Sequence, residues 1–257
     1  MFKNILKNVY EKTPLIHCIT NYVTVNDVAN ILLACGASPI MADDEKDAVE
    51  ITAICNALVI NIGTLNERTI ATMLKTGKRA NELSHPVVLD PVGAGASSLR
   101  TDTTFKLLEE VNFAVIRGNI SEIKTVSRGS GTTKGVDADV SDAVTEKNLD
   151  ETISFAKELS ARTKSIIAIT GAIDIVTDSN KAYIIRNGHP MMSKITGSGC
   201  MLTAIIAAYC AANPGSHLEA TAAAVCAMGL AGELAYDKVV KHDAGTSSYR
   251  TYLIDAM

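Results

Sequence analysis

Residues 195–200 read Ile-Thr-Gly-Ser-Gly-Cys, and residues 201–208 form an alanine-rich run with strong helix-forming character. A glycine pair placed directly before a helix lets backbone N–H groups converge, and the positive end of the helix dipole adds to their attraction for an anion. We therefore predict an anion hole made of Gly197, Ser198 and Gly199, with Cys200 beside it as a candidate for proton transfer. An ordinary helix start with a buried cysteine is the alternative that this run alone leaves open.

Outward from this run, short apolar segments alternate with longer amphipathic ones. The short segments predict buried strands at Leu15–Ile19, Ser38–Met41, Ala57–Ile62, Pro86–Asp90, Phe113–Arg117, Ser165–Thr170, Asp174–Thr177 and Ala182–Arg186. Such alternation predicts an α/β fold of three layers (α/β/α), with a mostly parallel central sheet and helices on both faces. Only a short polar linker separates the last two segments, which predict an antiparallel hairpin at one edge of the sheet.

Local signals predict helix starts and one loop. Thr24 and Asp27 can form a capping box, and Asn66 can cap a later helix. The glycine-rich stretch at residues 128–135, with acidic residues up to 142, predicts a mobile surface loop. No proline-rich linker, charge block or internal repeat divides the chain, so we expect one domain over residues 1–257.

Composition excludes several classes of function. The 257 residues carry a formal net charge of −4, and no basic stripe interleaved with aromatic residues indicates nucleic-acid binding. No two of the six cysteines are spaced as C-x-x-C, which argues against a disulfide framework or a zinc knuckle. The amino terminus lacks a continuous apolar leader, and the apolar run at residues 201–212 is shorter than a bilayer span. We expect a cytoplasmic protein that acts on small molecules, without a membrane segment.

Polar residues follow several predicted strands, where ligands bind in open α/β sheets. Asp90, Arg117 and Thr170 lie at three such ends, and Asn119 and Glu122 lie three apart at a helix start. Because Mg²⁺ often uses only one or two protein carboxylates together with phosphates, Asp90 and Glu122 are candidate metal ligands. Four alternatives remain at this point: Asp90 as a turn residue, Asn119 with Glu122 as a helix capping box, Arg117 as the partner of a surface carboxylate, and Thr170 as a strand-end residue without a ligand.

Other nucleotide and metal motifs are missing from the sequence. Neither a Gly-x-x-x-x-Gly-Lys-[Ser/Thr] loop nor a complete Gly-x-Gly-x-x-Gly fingerprint is present. The five histidines show no metal-ligand spacing. A P-loop enzyme and a dinucleotide-binding enzyme are therefore disfavoured.

Several runs together resemble the ribokinase-like superfamily of small-alcohol kinases and, within it, the hydroxyethylthiazole kinase family. The resemblance rests on residues 14–24 (PLIHCITNYVT), residues 36–42 (GASPIMA), residues 90–94 (DPVGA), Arg117-Gly118-Asn119-x-x-Glu122, and Thr196-Gly197-Ser198-Gly199-Cys200. Most of the superfamily has aspartate at the last position of the glycine run, whereas the thiazole kinases are similar to this chain in having cysteine.

This resemblance implies a reaction and a set of site residues. The expected reaction transfers the γ-phosphoryl group of ATP to the primary hydroxyl of 4-methyl-5-(2-hydroxyethyl)thiazole in thiamine biosynthesis and salvage. The implied roles are substrate binding by Asn21, Met41 and Gly197; ATP binding by Arg117, Thr170 and Asn119; Mg²⁺ binding by Asp90 and Glu122; and proton transfer by Cys200. It also implies a homotrimer with sites at subunit interfaces.

Two opposing effects act on the protonation state of the Cys200 thiol. A helix amino terminus can lower the pKa of a thiol, and we expect partial thiolate at neutral pH, although a nearby triphosphate acts against it.

Three other functions of the protein remain possible from the sequence: another enzyme on the same scaffold, such as an ATP-dependent dehydratase or a kinase for another alcohol; a binding protein without catalysis; and a cysteine hydrolase.

Overall fold

The central sheet follows the predicted strands closely. In the computed structural model, which describes residues 2–129 and 143–257, the strands are β1 (Leu15–Ile19), β2 (Ser38–Ile40), β3 (Ala57–Asn61), β4 (Val87–Asp90), β5 (Val115–Gly118), β6 (Ile166–Ile169), β7 (Asp174–Thr177) and β8 (Ala182–Ile185). Their order in the eight-stranded sheet is β2-β1-β3-β4-β5-β6-β7-β8. Pairings from β2 through β6 are parallel, and β7 and β8 add antiparallel at one edge. The mostly parallel sheet and its edge hairpin are confirmed.

Helices cover both faces of this sheet. They are α1 (Phe2–Lys12), α2 (Val25–Ala34), α3 (Glu45–Ile54), α4 (Glu67–Glu82), α5 (Ser98–Glu110), α6 (Ile120–Gly129), α7 (Leu149–Thr163), α8 (Ser198–Ala212), α9 (His217–Lys241) and α10 (Thr246–Asp255), with a 3₁₀ helix at Pro190–Lys194. Helices α1, α2, α8, α9 and α10 pack together on one face, and α3 to α7 lie on the other. The predicted three-layer α/β/α fold is confirmed.

Side chains alternate between two cores because successive strand residues point to opposite faces. In β3, Val59 belongs to the core under α8, whereas Leu58 and Ile60 belong to the core under α4. Helix α8 contacts β1, β3 and β4 as well as α1, α2 and α9. A helix surrounded in this way has to be apolar all round, which explains the alanine-rich run after the glycines.

One of the two predicted caps is present. Asn66 accepts a hydrogen bond from the Thr69 backbone N–H at 3.0 Å, and the reciprocal bond completes a capping box. The predicted box at Thr24 and Asp27 is wrong, since Thr24 makes no side-chain cap bond to α2. The Asp27 carboxylate lies instead 3.8 Å from the guanidinium of Arg250.

Two further expectations concern segments of the chain. The predicted loop lies mostly at residues 130–142, outside the described residues, and so stays a prediction. Among the described helices, α9 has the length and apolar composition of a membrane span, and 67% of its most apolar window is buried inside the protein. Burial against α8 and α10 is the packing of a core helix.

Candidate active site

The polar strand ends meet at the carboxyl edge of the sheet. Asp90 ends β4, Arg117 lies in β5, and Thr170 directly follows β6, and these three strands are neighbours. The amino end of α8, with Gly197 as its N-cap, faces the same edge, since Gly199 packs against Arg117. The structure therefore brings together residues that are far apart in the sequence.

Close packing favours glycine at two positions around the start of α8. Gly197 has a φ of +83°, and a Cβ there would lie 2.6 Å from Cγ2 of Thr24. A Cβ on Gly199 would lie 2.4 Å from Nη1 of Arg117. The amino end of α8 is thus bounded by Thr24 on one side and by a guanidinium on the other. Both the helix dipole and the guanidinium favour an anion at this place.

Asp90 is a buried carboxylate in which one oxygen accepts hydrogen bonds and the other accepts none. Its Oδ2 accepts hydrogen bonds from Asn61 Nδ2 at 2.8 Å and from Thr203 Oγ1 at 2.9 Å. Its Oδ1 is buried without a hydrogen-bond partner and lies 3.6 Å from Nη1 of Arg117. Burial raises the pKa of Asp90 to about 6, and the charge of Arg117 acts in the opposite direction. Oδ1 therefore keeps lone pairs that no hydrogen-bond donor engages.

Glu122 caps the start of α6. Its Oε2 accepts from the backbone N–H of Asn119 at 2.8 Å, and Asn119 Oδ1 accepts from the N–H of Glu122 at 2.8 Å. Glu122 Oε1 also accepts from the N–H of Gly93 at 2.9 Å, which ties α6 to the loop after β4. The capping alternative is therefore the observed geometry. Metal binding by Glu122 stays a prediction, since each oxygen has a second lone pair.

Two amide groups converge on the sulfur of Cys200. Its Sγ accepts from Asn21 Nδ2 at 3.2 Å and from Asn61 Nδ2 at 3.3 Å. Burial and the charge of Asp90 raise the pKa of the Cys200 thiol, and hydrogen bonds from Thr24, Asn21 and Asn61 oppose this shift only in part. The expectation of a lowered thiol pKa is wrong, because desolvation outweighs the stabilisation of the anion at the helix end.

Asn61 is the residue of this cluster that sequence reasoning missed. The sequence pattern predicts a strand that continues to Ile62, which places Asn61 inside it. In the structure β3 ends at Asn61, directly opposite Asp90 in the neighbouring strand. A polar residue before Ile62 and Gly63 was the signal, since it matches the polar strand end at Asp90.

A cavity of about 500 Å³ opens beside this cluster. Polar groups at one end belong to Arg117, Asn119, Thr170, Ser198 and Gly199, and apolar wall residues include Leu202, Val225 and Met228. Asp174, a second missed residue, also lines the cavity, and burial raises its pKa to about 6. Among the described residues, no group of three or more His, Cys, Asp and Glu side chains is placed to hold a metal ion.

Asn21 and Met41 lie at the ends of two adjacent strands, β1 and β2. Asn21 follows β1 and is 5% exposed, while Met41 follows β2 and packs partly buried against the core under α8. Asn21 contacts Cys200, whose neighbour Gly199 lines the cavity. The glycine run thus lies between the cavity and the Asn21 side of the site.

This fold, with a glycine-rich helix start facing a cavity at the carboxyl edge of a mostly parallel sheet, is that of the ribokinase-like class. The chain belongs to the hydroxyethylthiazole kinase family, whose sequence model matches residues 6–257. It is 66% identical over 255 residues to the hydroxyethylthiazole kinase of Clostridium acetobutylicum, with 99% of this chain and 93% of that one covered.

Two further relatives agree with this assignment. The hydroxyethylthiazole kinase of Clostridium beijerinckii is 55% identical over 254 residues, with 99% of this chain and 90% of that one covered. The solved structure of a hydroxyethylthiazole kinase protein from Pyrococcus horikoshii OT3 is 34% identical with a TM-score of 0.87, covering 99% and 91% of the two chains. The family resemblance of the sequence is confirmed, and kinase activity implies ATP as the co-substrate.

Proposed function

We propose that this kinase transfers the γ-phosphoryl group of ATP to the primary hydroxyl of 4-methyl-5-(2-hydroxyethyl)thiazole, for thiamine biosynthesis and salvage. Residues 1–257 act as a single ribokinase-like domain in the cytoplasm. One observation carries the proposal: Gly199 lines a large cavity on one side, and the adjacent Cys200 contacts Asn21 on the other. A phosphoryl donor and an alcohol acceptor can therefore approach the same helix end from opposite sides.

The cavity suits ATP. Arg117, Thr170 and Asn119 contact the phosphates, together with the amino end of α8. A hydrogen bond from Nη2 to Thr170 Oγ1 at 2.6 Å fixes the orientation of the Arg117 guanidinium. The apolar wall at Val225 and Met228 accommodates the nucleobase, as expected for a pocket with few, well-placed polar groups.

The acceptor binds on the Asn21 side. Met41 supplies a polarizable apolar wall for a flat heteroaromatic ring, and the backbone of Gly197 contacts the same ring. Asn21 is fixed in orientation, because its Oδ1 accepts from the N–H and the hydroxyl of Thr24 at 3.1 and 3.0 Å. The side-chain amide of Asn21 therefore keeps one orientation towards the bound alcohol.

In the reaction, the alcohol oxygen forms a bond to the γ-phosphorus, the bond to the β–γ bridging oxygen breaks, and ADP leaves. Positioning and electrostatic stabilisation supply most of the catalysis, through Arg117 and the start of α8. The thiolate form of Cys200 takes the alcohol proton. Because the thiol pKa is raised, this form is a minority at neutral pH, and base catalysis contributes modestly.

The carboxylates fit a magnesium ion. Asp90 Oδ1 is buried and accepts no hydrogen bond, and burial, with a smaller contribution from the charge of Glu122, raises the pKa of Asp90. Asp90 and Glu122 would hold Mg²⁺, with phosphate oxygens as the remaining ligands. When bound, the ion would neutralise phosphate charge during transfer.

Replacement of Glu122 tests this site. We expect Glu122→Gln to lower kcat and to raise the Mg²⁺ concentration needed for half-maximal rate, with little change in thiazole KM. The variant also loses one acceptor for a backbone N–H, which should cost about 1–3 kcal/mol of stability. Magnesium titration and thermal denaturation separate the two effects, with the exposed Glu82→Gln as control. Loss of stability with an unchanged magnesium requirement would leave Glu122 as a helix cap alone.

The assembly is a homotrimer with the thiazole site at subunit interfaces. Large apolar side chains are exposed directly after Asn21 and in α2, with Tyr22 at 80%, Val23 at 57% and Leu33 at 59% exposure, and on α9, with Leu230 at 51% and Leu234 at 44%. Burying such surface is the usual driving force for assembly. Light scattering should give three subunits, and Leu230→Lys with Leu234→Lys should dissociate them. A stable, fully active monomer would contradict this proposal.

A substrate panel tests the reaction itself. ADP formation should depend on 4-methyl-5-(2-hydroxyethyl)thiazole and should be much slower with other primary alcohols at equal concentration. A preference for another alcohol, or ATP-dependent dehydration of a hydrated nicotinamide cofactor, would assign the scaffold to a different enzyme. Binding of the thiazole without ADP formation would indicate a non-catalytic binding protein.

A further inference from the structure

Asn61 occupies the centre of the polar cluster. It ends β3, between β1 and β4 in the sheet, and is 1% exposed. Its side chain makes hydrogen bonds with Asn21, Gly63, Asp90 and Cys200. A buried amide with all of its hydrogen-bonding groups engaged is held in one position.

The orientation of this amide follows from its partners. Asn61 Oδ1 accepts from the backbone N–H of Gly63 at 2.9 Å and from Asn21 Nδ2 at 3.1 Å, and a backbone N–H can only donate. The nitrogen must therefore face the other way. Its two N–H groups donate to Asp90 Oδ2 at 2.8 Å and to Cys200 Sγ at 3.3 Å.

The orientation of Asn21 is fixed in the same way. The backbone N–H of Thr24 donates to its Oδ1, so its nitrogen faces Asn61 and Cys200. Two amide N–H groups consequently point at one sulfur. A sulfur in this setting acts as an acceptor, so the thiol proton has to point away from both amides.

We propose that Asn61 is a positioning residue that orients the sulfur of Cys200 and stabilises its thiolate form through a direct hydrogen bond. This inference rests on the proposed function, in which Cys200 takes the alcohol proton. Asp90 destabilises the same thiolate through its charge, and Arg117 from β5 lies next to Asp90. Asn61 donates to both anions and so separates them with hydrogen-bond donors.

The test measures the reactivity of Cys200 rather than phosphoryl transfer. In Asn61→Ser, which adds no charge, we expect alkylation of Cys200 by iodoacetamide at neutral pH to slow by about tenfold or more, the loss of one hydrogen bond to an anion. Its pH profile should shift to higher pH. Mass spectrometry of the Cys200 peptide gives the rate, with the peptide of the half-buried Cys226 as internal reference.

Thr203→Val is the matched control, because it removes the hydrogen bonds of Thr203 to Asp90 and to the Gly199 carbonyl and none to Cys200. Its Cys200 alkylation profile should stay near that of the parent protein. Equal shifts in both variants, or no shift in Asn61→Ser, would overturn the proposal. The kinetic counterpart in Asn61→Ser is a lower kcat with an alkaline shift of its pH profile and an unchanged ATP KM.

A second measurement covers the case in which Asn61→Ser fails to fold. In Cys200→Ala, the side-chain amide signals of Asn61 and Asn21 in nuclear magnetic resonance spectra should both move, since each loses its sulfur acceptor. Unmoved Asn61 signals would overturn the proposal. If Cys200→Ala retains full kcat while alkylation depends on Asn61, the proton-transfer role fails and the positioning of the sulfur stands.

Discussion

Gly197→Ala is expected to lower kcat by at least about 100-fold, the size of effect seen when one donor of a preorganised anion site is lost. Two physical effects combine at this position. The φ of +83° is unfavourable for any residue with a Cβ, and the added methyl group would lie 2.6 Å from Thr24 Cγ2. Thr24 would have to move, and with it Asn21, whose orientation Thr24 determines. Steady-state kinetics with both substrates measures the loss.

Gly215→Ala is the matched control for Gly197→Ala. Gly215 has a φ of +80°, and an added Cβ would meet no atom within 4 Å. It should lose about 1–2 kcal/mol of stability from backbone strain and keep the parental kcat. If both variants lose stability equally and Gly197→Ala keeps its activity, the turn at Gly197 is only structural, and the start of α8 does not bind the transferring phosphoryl group.

Cys200→Ala is expected to lower kcat by about 10- to 100-fold, below or at the lower end of the range for general base catalysis, with little change in either KM. The reduction is modest because the alcohol loses its proton late and the raised thiol pKa already limits the thiolate fraction. Cys200→Asp should retain substantial activity, since a carboxylate of similar size can accept the proton. Its pH profile should lack any rise towards the thiol pKa.

The control for Cys200→Ala is Cys226→Ala, a half-buried cysteine on α9 that should keep the parental kcat. Single-turnover measurements are needed, because slow product release would mask a change in chemistry. Full parental kcat in Cys200→Ala, with phosphoryl transfer shown to be rate-limiting, would contradict the base assignment. Cys200 would then contribute packing alone.

The sheet was predictable because burial on both faces leaves a simple pattern in the sequence. Parallel strands covered by helices need continuous apolar runs, and each of the predicted runs became a strand whose ends differ by no more than two residues. Asp90 and Thr170 were found for a related reason. They are polar residues where an apolar run stops, and in this fold such ends lie together.

Other features depended on contacts between distant segments. Asn61 was missed because its role follows from the register that places it opposite Asp90, and a shift of one residue in the predicted strand end concealed it. Thr24 was assigned to its own helix, although its hydrogen bonds go back to Asn21. Local sequence cannot tell whether the Thr24 hydroxyl bonds to the start of α2 or to Asn21, since both lie within its reach.

The amino-acid sequence by itself determined the layered α/β fold, the glycine-rich helix start and the family of the chain, because these depend on periodicity and on short contiguous motifs. Tertiary structure decided the electrostatics. The pKa of Cys200 is raised and that of Asp90 lies near 6 because burial removes water from charges that the sequence shows as ordinary side chains. How far each group is desolvated, and which donors face it, is set by strands and helices that meet only in the folded chain.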